Sequence, residues 1–212
     1  DLPENDYVSQ TISHHLYDSN VASKVAQFIL LGAGGAKLID ELGFNPDLYH
    51  LNEAHGISSA FYLYNKWKDI NKVREKLVFT THTPEEAGNE KHDIFLCHKM
   101  SYFCGLSIDE VKELTGNYDD AFNHSLAALR FARLANGVSK LHGHVSREMW
   151  GKYENICPII SITNAQSFRY WSDKRLYHFM EEGNDLLFED RKKHLKKRAF
   201  EIVADQTGKI FD

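Results

Sequence analysis

The chain is 212 residues long with 42% apolar and 26% charged residues, a composition that fits one ample globular domain and excludes wholesale disorder. A formal net charge of −5 and a pI near 6.2 argue against nucleic-acid binding dominated by phosphate contacts. Cys97, Cys104 and Cys157 form neither a paired framework nor a metal spacing and point to a reducing compartment, while the longest apolar window, Phe28 to Ala36, is too short for a bilayer and rich in glycine.

Residues 1–20 are polar and turn-rich and read as an approach segment, with His14 and His15 at its surface. Val21, Val25, Phe28, Ile29, Leu31, Leu38 and Leu42 recur at helical spacing, so one long helix is expected over 21–42, ended by Gly43 and Pro46. Gly32-Ala33-Gly34-Gly35 falls inside that helix. A dinucleotide loop must follow a strand and open a helix, so close packing is the reading that fits. Leu48 to Asn52 reads as the first strand and Ala54 to Trp67 as the helix behind it. Asn52 and His55 are either a helix cap and a first-turn histidine or binding residues; the pattern leaves both open.

Asp69 to Lys76 reads as a charged connector and Leu77 to Thr81 as a buried strand, cut off by His82, Thr83 and Pro84. The acidic stretch from Pro84 to Glu90 is a loop. Asp93 to Tyr118 reads as one helix followed by a short one over Ile108 to Leu114, with Ser107 and Glu110 in capping-box spacing. Cys97 and Cys104 stand seven residues apart, two turns of that first helix. Asn123 to Leu134 is strongly helical, with Phe122, Leu126, Leu129, Phe131 and Leu134 as core. Asn136 to His142 is the third strand, Gly143 to Trp150 a short helix, and Cys157 to Thr163 the fourth strand. Arg175 to Ala204 reads as a charged helix pair broken at Gly183-Asn184, Asp205 to Gly208 as a turn, and Lys209 to Asp212 as the start of a strand or linker.

Strands alternating with helices indicate a parallel α/β sheet. The four strands end in His, Asn or an acid, and open α/β sheets bind ligands outside the carboxyl ends of their strands. These polar tips therefore point to one site.

Leu51-Asn52-Glu53-Ala54-His55, Thr80-Thr81-His82-Thr83-Pro84, Ala135-Asn136-Gly137-Val138-Ser139-Lys140-Leu141-His142 and Thr163-Asn164 follow a helix that carries Gln27. In this order they resemble the α-glucan phosphorylases, the glycogen, starch and maltodextrin enzymes, and in particular their short bacterial and archaeal branch. The likeness runs from about Leu16 to Asp212 and, with the absence of an initial methionine, suggests a piece of a longer chain.

The resemblance implies a Rossmann-like sheet flanked by helices, part of the N-terminal lobe of a two-Rossmann (GT-B) glycosyltransferase. The implied division is an approach segment over 1–20, a core over 21–174, and a helical segment over 175–212 leading to the missing C-terminal lobe. In such enzymes inorganic phosphate attacks the terminal glucosyl unit of an α-1,4-glucan and releases glucose 1-phosphate with retained configuration. Pyridoxal phosphate is held by a lysine of the C-terminal lobe, so Lys140 is not a candidate, and the chain alone would be inactive. His82 takes the place of the catalytic-site histidine that contacts the 6-hydroxyl of the bound glucose. Asn164 matches the asparagine that shares this hydroxyl, Gly137 and Val138 match the loop lining the glucosyl site, and Glu53 and His55 match residues on the acceptor side. Such groups suit a neutral sugar, which is held by hydrogen bonds rather than full charges.

The pattern departs at Ala165-Gln166-Ser167, where the family has glycine and an apolar residue, and at Gly143-His144, where an acid is common at the second position. The partners implied are α-1,4-glucan, inorganic phosphate and the second lobe, with no nucleic acid or membrane, a cytoplasmic location, and self-association through any face left bare. Two other readings stand beside this one: the N-lobe of a nucleotide-sugar-dependent GT-B glucan synthase, and a glucan-binding module. The latter is disfavoured because Trp67, Trp150 and Trp171 fall in helical patterns.

Overall fold

The structure is a computed structural model that describes residues 2–16 and 18–210. Tyr17 and the Phe211-Asp212 end of the expected C-terminal strand lie outside the described residues. The chain divides into two compact units, Asp1–Asn164 and Ala165–Asp212.

The first unit opens with a short helix α1 (Tyr7–Thr11) inside the segment expected to be a loop. Next comes α2 (Val21–Ile29), capped by Asn20, which accepts from the Ser23 N–H at 3.0 Å. A π-helical turn, Leu30–Gly34, then leads into α3 (Gly35–Glu41). The long helix expected from spacing thus exists, with a wide turn at its glycines. The reason lies in the neighbour. A Cβ on Gly32 would collide with the Ser58 hydroxyl and stand 2.6 Å from the Gly56 carbonyl oxygen, while Ala33 N–H donates to Ser58 Oγ at 2.9 Å. A π turn re-aims a helix locally, and here it meets a backbone approach that only glycine permits.

Strand β1 (Tyr49–Asn52) leads through the 3₁₀ turn Ala54–Gly56 into α4 (Ser58–Trp67). The connector expected over 69–76 is instead the helix α5 (Ile70–Lys76), whose cap, Asp69, accepts from the N–H groups of Asn71 and Lys72. Its charge hid an ordinary helix. After β2 (Leu77–Thr81), a small antiparallel pair, β3 (Lys91–Asp93) and β4 (Ala121–Asn123), stands apart from the main sheet. Between them lie α6 (Ile94–Lys99) and α7 (Ile108–Thr115), the latter with the Ser107–Glu110 capping box formed. Cys104 is not helical: it sits at φ 55° in the linker, because α6 ends five residues earlier than its spacing from Cys97 implied.

Helix α8 (His124–Phe131) gives way to β5 (Leu134–Gly137), and α9 (Lys140–Trp150) already includes His142. The third strand therefore starts two residues earlier than the pattern suggested and stops at Gly137, because Ser139 caps α9 by accepting from His142 N–H at 3.0 Å. Strand β6 (Ile159–Ser161) is the short centre of the expected fourth strand.

The main sheet is parallel throughout in the order β1-β2-β5-β6. Its register aligns Leu51 with Phe79, Phe79 with Ala135, and Ala135 with Ile159. These residues are 7%, 1%, 1% and 7% exposed, a row buried across the whole sheet. The core they face is aromatic, with Phe61 edge-on to Phe103 at 5.1 Å and to Phe131 at 5.2 Å. Trp150 belongs to this core, whereas Trp171 is exposed.

The same core encloses a polar thread. The Tyr102 hydroxyl lies 2.9 Å from His124 Nδ1, and His124 Nε2 lies 2.8 Å from His92 Nδ1. His92 Nε2 faces Glu90 at 3.6 Å, and Glu90 is paired with Lys24 at 3.2 Å. One proton order satisfies both hydrogen bonds: Tyr102 donates to His124 and His124 to His92, which leaves the His92 Nε2–H facing the Glu90 carboxylate. Burial pushes His124 well below, and His92 below, the ordinary histidine value.

The second unit holds α10 (Phe168–Trp171), α11 (Lys174–Glu181) and α12 (Asp185–Thr207). Gly183 at φ 66° and the Asn184 cap break the pair as expected, but α12 runs through the predicted turn and closes at Gly208. Asp173 caps α11 and takes a two-point hydrogen bond from Arg191 at 3.2 and 2.6 Å, which holds its carboxyl down at about 2. None of the described residues of this unit is buried. No helix among the described residues is long and apolar enough to cross a membrane.

Gly32→Ala is expected to destabilise the fold by about 1–3 kcal/mol through overpacking against backbone, read as a lower urea midpoint; an unchanged midpoint would mean the contact yields. Acid supplies a second check. The unfolded chain protonates its imidazoles near the ordinary value of about 6.5, while buried His92 and His124 resist, so unfolding takes up protons. Stability should be full above that value and fall as pH drops below it, and equal urea midpoints at about pH 7.5 and about pH 5.5 would contradict this.

Candidate functional site

The parallel register sets the tips level. One residue past the buried row, Asn52, Thr80, Asn136 and Ile160 align on the opposite face; one further, Thr81, Gly137 and Ser161 align. A polar ladder crosses three strands on that opposite face. His50 Nε2 lies 2.7 Å from Thr80 Oγ1, and Thr80 Oγ1 donates to Asn136 Oδ1 at 2.7 Å.

Beyond β1 and β2 the loops converge. Asn52 Oδ1 lies 2.9 Å from His82 Nε2, so with the amide oxygen accepting, Nε2 carries the proton and Nδ1 is left as an acceptor on an exposed ring. Glu53 Oε1 accepts from the His82 backbone N–H and, at 3.3 Å, from the Thr83 hydroxyl. Asn52 is therefore no helix cap: its amide goes to His82, and the residue preceding the 3₁₀ turn is Glu53.

Glu53 itself sits at φ 61°, ψ 172°, a region used almost only by glycine. Its amide donates to the Thr80 carbonyl at 2.9 Å, so the strained backbone is fastened at both ends of the residue. Non-glycine residues in that region cost on the order of 1–3 kcal/mol and collect at functional sites.

Gly137 and Val138 form the next tip. A Cβ on Gly137 would stand 2.8 Å from the Gly143 N, and one on Gly143 would strike the Ser161 hydroxyl. The two glycines let the first turn of α9 press against the ends of β5 and β6. Gly143, a departure-flanking residue in the sequence, is thus required by packing. Asn164 is tied to the same tip: Ile162 N–H donates to the Gly137 carbonyl and Asn164 N–H to the Val138 carbonyl, both at 3.0 Å. His82 and Asn164 follow strands separated by β5 alone, so their loops leave one edge of the sheet about 10 Å apart. His55 occupies a different wall, its half-buried ring stacked on Phe28 at 4.8 Å.

His142 links the tips from beneath. Its Nδ1 accepts from the Val138 N–H at 3.2 Å, which fixes the other nitrogen as the donor. Among the described residues that buried Nε2 meets no well-formed hydrogen-bond partner, though the Thr83 backbone stands near enough to act on it. Burial pushes the imidazole below its ordinary value and nearby His82 adds to this, while Glu53 and the Thr83 backbone oppose it. His142 therefore stands under all three loops at once.

No protein-family model matches the chain. Over its full length it is 43% identical to an uncharacterized protein of Methanocaldococcus jannaschii, covering 40% of that protein. It is 36% identical over 81% of its length to the maltodextrin phosphorylase of Thermococcus litoralis, covering 22% of that enzyme, and 30% identical over 96% of its length to the glycogen phosphorylase of Aquifex aeolicus, covering 32%. The chain is a homologue of one region of the α-glucan phosphorylases. It spans less than half the length of these curated relatives. The solved catalytic domain of starch synthase IV from Arabidopsis thaliana, bound to ADP and acarbose, shares the fold with a TM-score of 0.55 over 76% of this chain and 34% of that one, at 15% identity. The sheet is thus the Rossmann-like kind found in GT-B glycosyltransferases.

In this phosphorylase homologue, sequence reasoning missed the Thr83 hydroxyl and His142 as members of the cluster and left Asn52 open between a cap and a binding residue. The signal for His142 was available: Ser139 stands three residues before it, the spacing of a helix cap that turns position 142 back under the preceding loop.

Glu53→Gly and Glu53→Ala both remove the carboxylate, and only the first suits the backbone. Glycine should therefore be the more stable by about 1 kcal/mol or more, against the usual preference for alanine. Chemical denaturation of the two variants checks this, and an alanine variant as stable as the glycine one would show that the backbone relaxes.

Proposed function

We propose that the tips of β1, β2, β5 and β6 form the sugar-binding half of an α-glucan phosphorylase site. His82 and Asn164 hold the 6-hydroxyl of the terminal glucosyl unit, Gly137 and Val138 line its ring, and Glu53 and His55 border the acceptor side. The observation that carries the reading is the shared edge: His82, Val138 and Asn164 emerge from neighbouring strands at one level, His82 held by Asn52 and Glu53, and Asn164 by the Val138 carbonyl. The groups offered are amides, imidazoles, hydroxyls and backbone, matched to hydroxyls. Relatedness to the Thermococcus and Aquifex phosphorylases supports this over the nucleotide-sugar synthase reading, for which the starch synthase likeness carries fold alone.

His82 contributes in two ways. With Nε2 donating to Asn52, its Nδ1 is turned out as an acceptor for a sugar hydroxyl. The Glu53 carboxylate, gripping the His82 peptide N–H, fixes where that ring can stand. A site built to bond a hydroxyl discriminates strongly against sugars lacking it, because its polar groups are then left unpaired.

The residues present do not fit the pyridoxal phosphate that the relatives' reaction implies. Lys140 is exposed on the first turn of α9, and the cluster pairs its one carboxylate with neutral donors. The cofactor's lysine, the phosphate-binding cations and the reacting half of the site belong in this reading to a second lobe, and residues 175–212 lead toward it. Release of glucose 1-phosphate from an α-1,4-glucan by phosphate is the reaction proposed for the assembled protein in the cytoplasm. The isolated chain would bind sugar without turning it over.

Titration of the chain with maltotriose, followed by backbone amide NMR, should shift signals around His82, Val138 and Asn164 together. His82→Ala should weaken binding by about 10- to 100-fold, the penalty of losing a hydrogen bond in a site that leaves its partner unpaired, with the fold intact by circular dichroism. Sugar-induced shifts confined to other surfaces, or unweakened binding by His82→Ala, would remove these residues from the site.

A further inference from the structure

The opposite edge of the same sheet gathers arginines. Arg74 lies in the last turn of α5, just before β2, Arg130 lies in the last turn of α8, and Arg133 immediately precedes β5. All three therefore stand at the amino ends of strands whose carboxyl ends form the sugar-facing cluster. Arg74 Nε donates to the Arg130 carbonyl at 2.8 Å, which brings the two side chains into one neighbourhood. The Arg130 guanidinium lies over Gly116, the left-handed residue closing α7, where a Cβ would stand 2.6 Å from Cζ.

Among the described residues, no ion pair joins Arg74, Arg130 or Arg133 to a carboxylate. Arg130 Nε is buried with no hydrogen-bond partner. Burial, and then the Arg74 charge, push the Arg130 guanidinium below its ordinary value, while Tyr118 and Glu154 oppose them. Two guanidiniums held together are destabilising unless an anion offsets their charge.

Space for that anion is present. A cavity of about 630 Å³ is bordered by Arg74, Arg133, Glu75, Asn71 and Asn155, and a second of about 370 Å³ by Arg74, Arg130, Glu110, Glu113 and Asn155. They share Arg74 and Asn155. Glu110 is already occupied by Ser107 in the α7 capping box, at 2.8 Å from both its N–H and its hydroxyl.

We propose that Arg74 and Arg130, with Arg133 at the rim, bind a phosphate monoester with a hydroxyl-bearing body. Guanidinium forks match phosphate oxygens in pairs, and the dianion offsets the positive charge that the two side chains concentrate beside the cavity. Glu75 and Glu113 repel a bare anion but accept from hydroxyls, and the Asn71 and Asn155 amides can do either. The mixed lining selects the ester over free phosphate. This site stands on its own residues and does not depend on the glucan reading.

The test is a titration of the chain with ribose 5-phosphate and, separately, inorganic phosphate at constant ionic strength, read from the arginine Nε–H signals in ¹H–¹⁵N spectra. The Arg74 and Arg130 signals should shift saturably, with ribose 5-phosphate binding at least about tenfold tighter, or 1.4 kcal/mol, while Arg191, held by Asp173, stays unmoved. Arg74→Gln should abolish the shift at Arg130, and Arg133→Gln, on an exposed side chain that leaves folding undisturbed, should weaken binding severalfold. Absence of saturation, equal movement of Arg191, or retained binding in both variants would overturn the site. Equal affinity for the two probes would overturn its selectivity for an ester.

Discussion

The buried row formed by Leu51, Phe79, Ala135 and Ile159 fixes everything else about this molecule. Side chains alternate across a strand, so sliding any one strand by a residue would carry its member of the row out of the core and bring a polar neighbour in. The neighbours in question are Asn52, Thr80, Asn136 and Ile160, of which the first three are polar. Register is thereby locked by the hydrophobic effect, and the level of the strand tips follows from it. Glu53 and His82 meet, and Val138 leaves the sheet beside them, because apolar residues two or three positions earlier are aligned.

Glycine does a second part of the positioning. Gly32 against Ser58 and Gly56, and Gly137 against Gly143 against Ser161, are contacts in which backbone touches backbone or a short side chain. Each brings a helix nearer to the tips than a methyl group would allow. Glu53 takes the reverse course, a large residue in backbone space suited to glycine. The carboxylate explains why glycine does not stand there: it holds the His82 peptide and the Thr83 hydroxyl, contacts for which glycine has no side chain. Local backbone strain is in this way exchanged for order in the loop that carries His82.

The existence of the four strands was legible because short β-prone runs cut off by His, Asn or Pro leave few alternatives, although the expected polar end of the third, His142, belongs to α9. The Ser107–Glu110 box and the Gly183-Asn184 break were legible for the same reason, since each encodes a specific backbone need. What sequence did not disclose were features whose cause lies elsewhere in the fold. Helix α5 looks like a charged linker because its apolar contribution is mainly Val73. The β3–β4 pair is only three residues long on each side, shorter than any pattern can signal. Asn52 could be a cap or a ligand by local rules, and only the proximity of His82, 30 residues away, decides for the amide contact. Likewise the histidines at 92 and 124 give no sign of each other along the chain.

The wide turn at Leu30–Gly34 bears on how this region can change over generations. A π turn is an α-helix carrying one surplus residue, so a single-codon deletion there would restore regular winding without breaking the helix. Every side chain beyond it would then swing by about 100° around the axis, the angular step of one residue in a 3.6-residue turn. Gly32, which faces Ser58, would give way to a bulkier neighbour. In most helices a lost residue shortens a loop or frays an end; in this one it would reindex an entire face, which makes the length of the segment as strictly determined as its composition.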